Sequence, residues 1–398
     1  MLEMKTGPIN EADHYSSNAV IGKGAGKLMN LDDAYMDQVE QELFVQAMER
    51  IGHGDKVVGV YCAFTPKELI VAAGGIPASL CGSSAEVIPV AEQHLPRNFC
   101  PLVKSSYGLA LSDTCPYFHY ADLLVADSTC EGKRKMYEIL SEIKPVHLLA
   151  LPQRADNDHS FQLWLRELYR LRALLERELG HKVTDESLGE AIKQYNQVRK
   201  MIVTIFELNK GDIPLLTGCE ASIAVDPIGF EVDLPGYVER MKQVVEFARA
   251  RGGITPRPRI LLTGCPTTSK KLLNIIEESA LVVVMENCGG MKTVNMVDED
   301  GDPMEALARA TLKIACPCLS PNRRRFENLA GLIADYRIDG VIDLTWQACH
   351  LFNIESFSLG KYIQNELGIP FLQIETDYSD SDKDWLKVRV EAFVEMLS

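Results

Sequence analysis

The chain has 398 residues, and 56 Asp and Glu against 41 Lys and Arg give it a formal charge of −15. A composition of 46% hydrophobic and 24% charged residues excludes a disordered chain, and so acidic a surface argues against nucleic-acid binding. No apolar run reaches the ~18 residues of a membrane span, and the opening MLEMKTGPINEADHYSS has no apolar signal-peptide core. The expectation is a soluble cytoplasmic protein with no membrane contact, in which eleven cysteines are inert buried thiols or ligands, not disulfides.

Residues 1–55 are expected to form an N-terminal helical segment, with helical spacing over 31–51. Within it GKGAGK (22–27) looks like a phosphate loop, but Leu28 stands where a hydroxyl is required and no strand precedes it, so no nucleotide is expected on this chain. KVVGVYC (56–62) predicts a strand and TPKELIVAAGG (65–75) a helix, with Thr65 as N-cap, Pro66 as first helical residue and Glu68 closing a capping box. ADLLVADSTCEGKRKMYEIL (121–140) repeats strand, loop and helix, and VHLLALPQ (146–153) is another strand. Residues 56–157 are therefore a first α/β domain.

Residues 158–257 form a helical region. The stretch 160–209 is dense in Leu, Glu, Arg and Lys at helical spacing, with Gly180 ending one helix and Thr184 capping the next. Its charged helices suit a lid or dimer surface better than a coiled coil. RILLTGCPTTSKKLLNII (259–276), ALVVVMENCGG (280–290) and GVIDLTWQACH (340–350) then resume the α/β plan over 258–398. Short apolar runs without alternation predict strands buried on both faces, hence parallel sheets. The expected fold is α/β: two doubly wound, Rossmann- or flavodoxin-like parallel-sheet domains with a helical insert. TGCPTTSKK lacks the dinucleotide glycine pattern, Arg323–Arg325 is expected to be a solvated helix face, and His94, His119, His147 and His159 have no mutual metal spacing.

Cys62, Cys130, Cys265, Cys288 and Cys349 each stand at or just past the end of a predicted strand, the edge where open α/β sheets bind ligands. Cys100, Cys115, Cys316 and Cys318 stand at turns or helix entrances, where free N–H groups and the helix dipole favour a thiolate. No C-x-x-C pair occurs, so a zinc ribbon, a thioredoxin motif and a ferredoxin run are all absent. A site must collect single cysteines from distant loops.

The segments TPKELIVAAGGIP (65–77), LPRNFCPLVKSSYG (95–108), DTCPYFHYADLLVADSTCEGKRKM (113–136), ENCGGMKT (286–293) and CHLFNIES (349–356) resemble the 2-hydroxyacyl-CoA dehydratase and benzoyl-CoA reductase subunit family, nearest to its double-cubane-cluster branch. The resemblance implies two 4Fe-4S cubanes bridged by sulfide, three cysteines to each, in the cleft between the domains. It also implies a homodimer that receives low-potential electrons from a separate ATP-hydrolysing iron–sulfur reductase and reduces small molecules. Cys100, Cys130 and Cys349 match the single-cubane ligands of the dehydratases, with Glu131 replacing the usual Asp. Cys115 and Cys288 match the double-cubane branch. Cys318 is taken over Cys316 as sixth ligand for its nearness to a helix start, and Cys81 competes for the less certain places. Glu286 and His350 are candidate proton donors, and Ser83 and Ser84 candidate hydrogen-bond donors to substrate. The competing expectations are a 2-hydroxyacyl-CoA dehydratase subunit with one 4Fe-4S cluster, an iron–sulfur electron-relay or storage protein without substrate, and a zinc-containing structural protein.

Overall fold

A computed structural model describes residues 31–226 and 229–397; the phosphate-loop look-alike at 22–27 lies outside them. Among the described residues eight strands form two four-stranded, all-parallel sheets. The first contains β1 (Val57–Val60), β2 (Ile76–Ser79), β3 (Ala121–Asp127) and β4 (Val146–Leu149) in the order β2-β1-β3-β4. The second contains β5 (Arg259–Gly264), β6 (Leu281–Glu286), β7 (Gly340–Trp346) and β8 (Phe371–Thr376) in the order β6-β5-β7-β8. The two orders are the same flavodoxin-like pattern, so each sheet reverses direction beside its first strand, between β1 and β3 and between β5 and β7. Such switch points open a crevice at the carboxyl ends of the strands. Every residue of β1, β6 and β7 is buried, as unalternating apolar runs require.

The strands β2 and β8 carry no strong signal in the sequence. Pro77 sits in β2 and removes a donor, which only an edge position tolerates; β2 and β8 are both edges. The helix after β1 also starts later than expected. It runs Lys67–Ala72 with Pro66 as N-cap and no side-chain cap. Glu68 forms no capping box and pairs with Arg199 instead.

Between the sheets run helices Asp158–Leu179 and Asp185–Glu207. Asn157 caps the first, Gly180 ends it at φ 79°, and Thr184 with Ser187 forms a capping box for the second. Their inner faces are core, not lid. Trp164, Leu168, Leu171 and Leu175 are fully buried, Trp164 Nε1 donates to Thr311 Oγ1 at 2.8 Å, and Asn196 Nδ2 donates to the Val297 carbonyl at 2.8 Å. Ala150 N donates to Glu167 at 3.0 Å. The pair thus ties the first sheet to the segment 297–311 of the second half.

Arg325 overturns the solvated face expected at 323–325. Arg323 and Arg324 are exposed, but Arg325 is fully buried. Its guanidinium meets Glu286 and Asp343 at 3.3 Å each, donates to Thr263 Oγ1 at 2.9 Å and pairs with Glu355. It joins β5, β6, β7 and helix His350–Asn365 through one planar group, a task suited to arginine's fixed fork of donors.

Candidate functional site

Each cysteine near a strand end is carried there by the strand itself. Cys62 follows β1, Cys81 β2, Cys130 β3, Cys265 β5, Cys288 β6 and Cys349 β7. Two backbone features set the turns. Gly264 has φ 110°, and a Cβ there would lie 2.1 Å from the Leu344 carbonyl oxygen, so only glycine lets the chain swing into Cys265. Ala348 is left-handed at φ 58° immediately before Cys349, a conformation costing an L-residue about 1–2 kcal/mol.

Four cysteines are helix N-caps. Cys100 precedes Pro101–Leu111, Cys115 precedes Pro116–Tyr120, Cys130 precedes Glu131–Leu140 and Cys349 precedes His350–Asn365. Backbone N–H groups of the following turn lie near each sulfur and favour its thiolate, but only at Cys130 does one make a hydrogen bond, Lys133 N donating to Sγ at 3.3 Å; the caps at Cys100, Cys115 and Cys349 have none. Pro101 is the first residue of its helix, as its missing N–H and fixed φ favour.

The thiols converge in two groups. In the first, Cys349 lies close to both Cys100 and Cys265, and Cys130 lies within electrostatic reach of Cys100. In the second, Cys316 and Cys318 are close, coupled neighbours, and Cys62 and Cys288 lie within electrostatic reach of Cys316. Cys115 joins neither pairing; it stands by Tyr61 and Tyr117, near Glu40 and Asp113. Cys219 is elsewhere, its Sγ 3.1 Å from Asn274 Oδ1. Cys62 and Cys265 stand at strand ends in the sequence, yet the ligand set expected from it omits both.

Electrostatics hold most of these thiols protonated. Contact with Cys349, then burial, raises Cys100. Burial raises Cys62 and Cys130 and pushes Cys288 up to about 11. Contact with Cys316 raises Cys318. Cys316 is the exception: the neighbouring Cys318 thiol holds it below the ordinary thiol range, against burial, and the Lys292 charge adds to this.

A cavity of about 360 Å³ opens between the strand ends of the two sheets. Tyr61, Cys62, Cys81 and Ser83 line it from the first sheet, Thr267, Asn287 and Cys288 from the second. Tyr378 fixes the two edges together, its hydroxyl donating to the Gly82 carbonyl at 3.2 Å and meeting Thr268 Oγ1 at 2.7 Å. Two cations reach the cavity. Lys67 donates to Ser79 Oγ at 3.1 Å and pairs with Glu231, which accepts from the Tyr195 hydroxyl at 2.8 Å. Lys133 Nζ donates to the Tyr61 carbonyl at 3.3 Å.

The expected catalytic residues divide. Ser83 lines the cavity. Ser84 is a turn residue whose Oγ accepts from Glu86 N. His350 is exposed at the first position of its helix. Glu286 does not line the cavity. It is buried, accepts from Thr263 Oγ1 at 2.6 Å and is held by Arg325 and by Lys292 at 3.6 Å. Tied to these partners and turned away from the cavity, the Glu286 carboxylate is poorly placed to hand a proton to a substrate there.

Among the described residues no three or more His, Cys, Asp or Glu side chains gather around one point as about a single metal ion. A 4Fe-4S cube differs from an ion in this respect, since each thiolate binds its own iron corner. The donor set fits such a group: it is all sulfur, it is drawn from strand ends and helix starts of both halves, and a backbone N–H already donates to the Cys130 sulfur.

A family model for the 2-hydroxyglutaryl-CoA dehydratase D-component matches residues 62–397. The chain belongs to that family. It is 40% identical over 368 residues, 90% of this chain and 96% of the relative, to an Escherichia coli K12 protein named "Putative dehydratase subunit YjiM". It is 24% identical to the (R)-phenyllactyl-CoA dehydratase beta subunit of Clostridium sporogenes, over 86% of this chain and 92% of that one. It is 25% identical to one of the subunits of benzoyl-CoA reductase from Thauera aromatica, over 65% and 68% of the two chains. The family resemblance carried by the cysteine segments is thereby confirmed, and the relatives are components of dehydratases and reductases. No described helix is long and apolar enough to cross a membrane.

Proposed function

We propose that this member of the dehydratase D-component family is an iron–sulfur reductase component that holds a double-cubane cluster. A separate ATP-hydrolysing iron–sulfur reductase feeds it electrons, and it reduces small molecules as a cytoplasmic homodimer. Cys100, Cys130 and Cys349 hold one cubane. Cys288, Cys316 and Cys318 hold the other, with Cys62 as a fourth thiol beside them. Cys316 thus joins Cys318, and Cys115 is left out.

The observation that supports this most is the pair of separate thiol groups, Cys100–Cys349 and Cys316–Cys318, where a single-cubane protein needs only three ligands. When bound, the cluster supplies low-potential electrons to a substrate in the cavity. The chain's own residues orient that substrate and provide protons. Ser83 offers a hydroxyl, and Asn287 Nδ2, which donates to Thr267 Oγ1 at 2.7 Å, fixes the opposite wall. Lys67 Nζ stands at the cavity with Glu231 and Tyr195 behind it, and this relay, in place of Glu286 or His350, holds the proton to be delivered.

The alternative in the same family is a 2-hydroxyacyl-CoA dehydratase subunit with one cubane, favoured by the names of several relatives. Iron and acid-labile sulfide on anaerobically purified protein separate the two. About eight irons per chain support the double cubane, and about four support the dehydratase reading. Eight irons with no reduction of any small molecule in the presence of the electron donor would favour a relay or storage protein.

A further inference from the structure

We propose that the Lys133 ammonium is a shared counter-charge for both thiol groups, and that it sets the reduction potential of the iron–sulfur centre they hold. This rests on the functional reading above and concerns a residue that neither thiol group contains.

Lys133 is the third residue of helix Glu131–Leu140, and its backbone N–H is already committed to the Cys130 sulfur. Its side chain turns back across the strand ends to the Tyr61 carbonyl and lines the cavity. There it acts electrostatically on Cys130 of the first group and on Cys62 and Cys288 of the second. The other cations nearby are spent on carboxylates: Lys67 on Glu231, Lys292 on Glu286, and Arg325 on Glu286, Asp343 and Glu355. Among the described residues no carboxylate oxygen lies within 4.0 Å of the Lys133 ammonium. Asp127, the acid that acts on it from further off, is fully buried beside Cys62 and Thr129.

An ammonium has three donors, and Lys133 spends one on Tyr61. A thiolate-bound iron centre carries net negative charge, and each added electron increases it. A cation in a low-dielectric site stabilises the reduced form, and N–H donors to sulfur act in the same direction. The purely structural alternative is that Lys133 only holds the Tyr61 carbonyl in place.

The test is a reductive titration of the anaerobically loaded chain, followed by paramagnetic resonance, on wild type, Lys133→Met, Lys133→Gln and Lys133→Arg. Lys133→Gln keeps a donor for Tyr61 without the charge and covers the case in which Lys133→Met fails to fold. The expected result is a midpoint shifted to more negative potential in Gln and Met, with Arg near wild type and iron content unchanged in all three. An unshifted midpoint in iron-replete Lys133→Gln overturns the inference. A wild-type chain without iron and sulfide overturns the functional reading itself, so the two failures are distinct.

Discussion

The Cys100 and Cys349 thiols are close neighbours, although one caps a helix beside the first sheet and the other caps a helix beside the second. This proximity brings the two halves of the chain to one sulfur site. Cys100→Ser and Cys349→Ser are each expected to remove about half of the iron under the double-cubane reading. Cys219→Ser, whose sulfur faces Asn274, is expected to remove none. Metal analysis after anaerobic loading checks all three.

The second thiol group makes a separate expectation. Cys288→Ser and the double replacement of Cys316 and Cys318 by Ser should each bring iron from about eight to about four per chain. Cys115→Ser should leave it unchanged, because Cys115 faces tyrosines and acids and not the other thiols. A loss of iron in Cys115→Ser, with Cys316→Ser unaffected, would restore the ligand set read from the sequence.

Arg325 is expected to be a stability residue. Arg325→Met leaves the buried Glu286 and Asp343, and the half-buried Glu355, without their common cation, and breaking a buried ion pair from one side costs about 3–5 kcal/mol. Denaturant unfolding of the iron-free protein measures this. Glu286→Gln should also destabilise, yet the turnover of its folded fraction should match wild type, which a direct proton donor would not allow.

Much of the architecture is legible in the residues. Runs such as Leu281–Glu286 announce strands buried on both faces, and Gly180 and Thr184 mark real helix ends. The edge strands β2 and β8 escape because Pro77 breaks the pattern of one and half-burial blurs the other. The site is legible as a set of cysteines but not as a partition. Which sulfurs meet depends on how two sheets face each other, and sequence spacing holds no record of that. Arg325 fails for a related reason: Arg323, Arg324 and Arg325 look alike in sequence, and only the helix's rotation sends one of them inward. Glu286 looks like a proton donor by its nearness to Cys288. Yet β6 ends at Glu286, whose carboxylate is locked into the Arg325 network, while the turn that follows takes Cys288 to the cavity.

Proton delivery through Lys67 is open to direct measurement. Lys67→Met and Glu231→Gln are expected to lower kcat by about 10²-fold or more, the usual range for a lost proton donor, with KM and iron content little changed. Tyr195→Phe, one step further from the cavity, should have a smaller effect. Equal kcat in Lys67→Met and wild type would remove this relay from the mechanism.

Cluster loading should depend on pH. Cys100, Cys130, Cys288, Cys318 and Cys349 all have thiols raised by burial or by mutual contact. Iron binds the thiolate, so protons compete with it, and they compete more strongly where the thiol is raised. Iron uptake by the iron-free chain is therefore expected to increase steadily between about pH 6 and about pH 9, with release of protons into a weakly buffered solution. Uptake independent of pH would mean that the ligands are other groups.

The most direct measurement is iron and acid-labile sulfide per chain after purification without oxygen. The expected result is about eight irons with a matching amount of sulfide, halved by loss of either thiol group. A chain that carries zinc and no sulfide would contradict the idea that these dispersed cysteines build an electron-transferring centre.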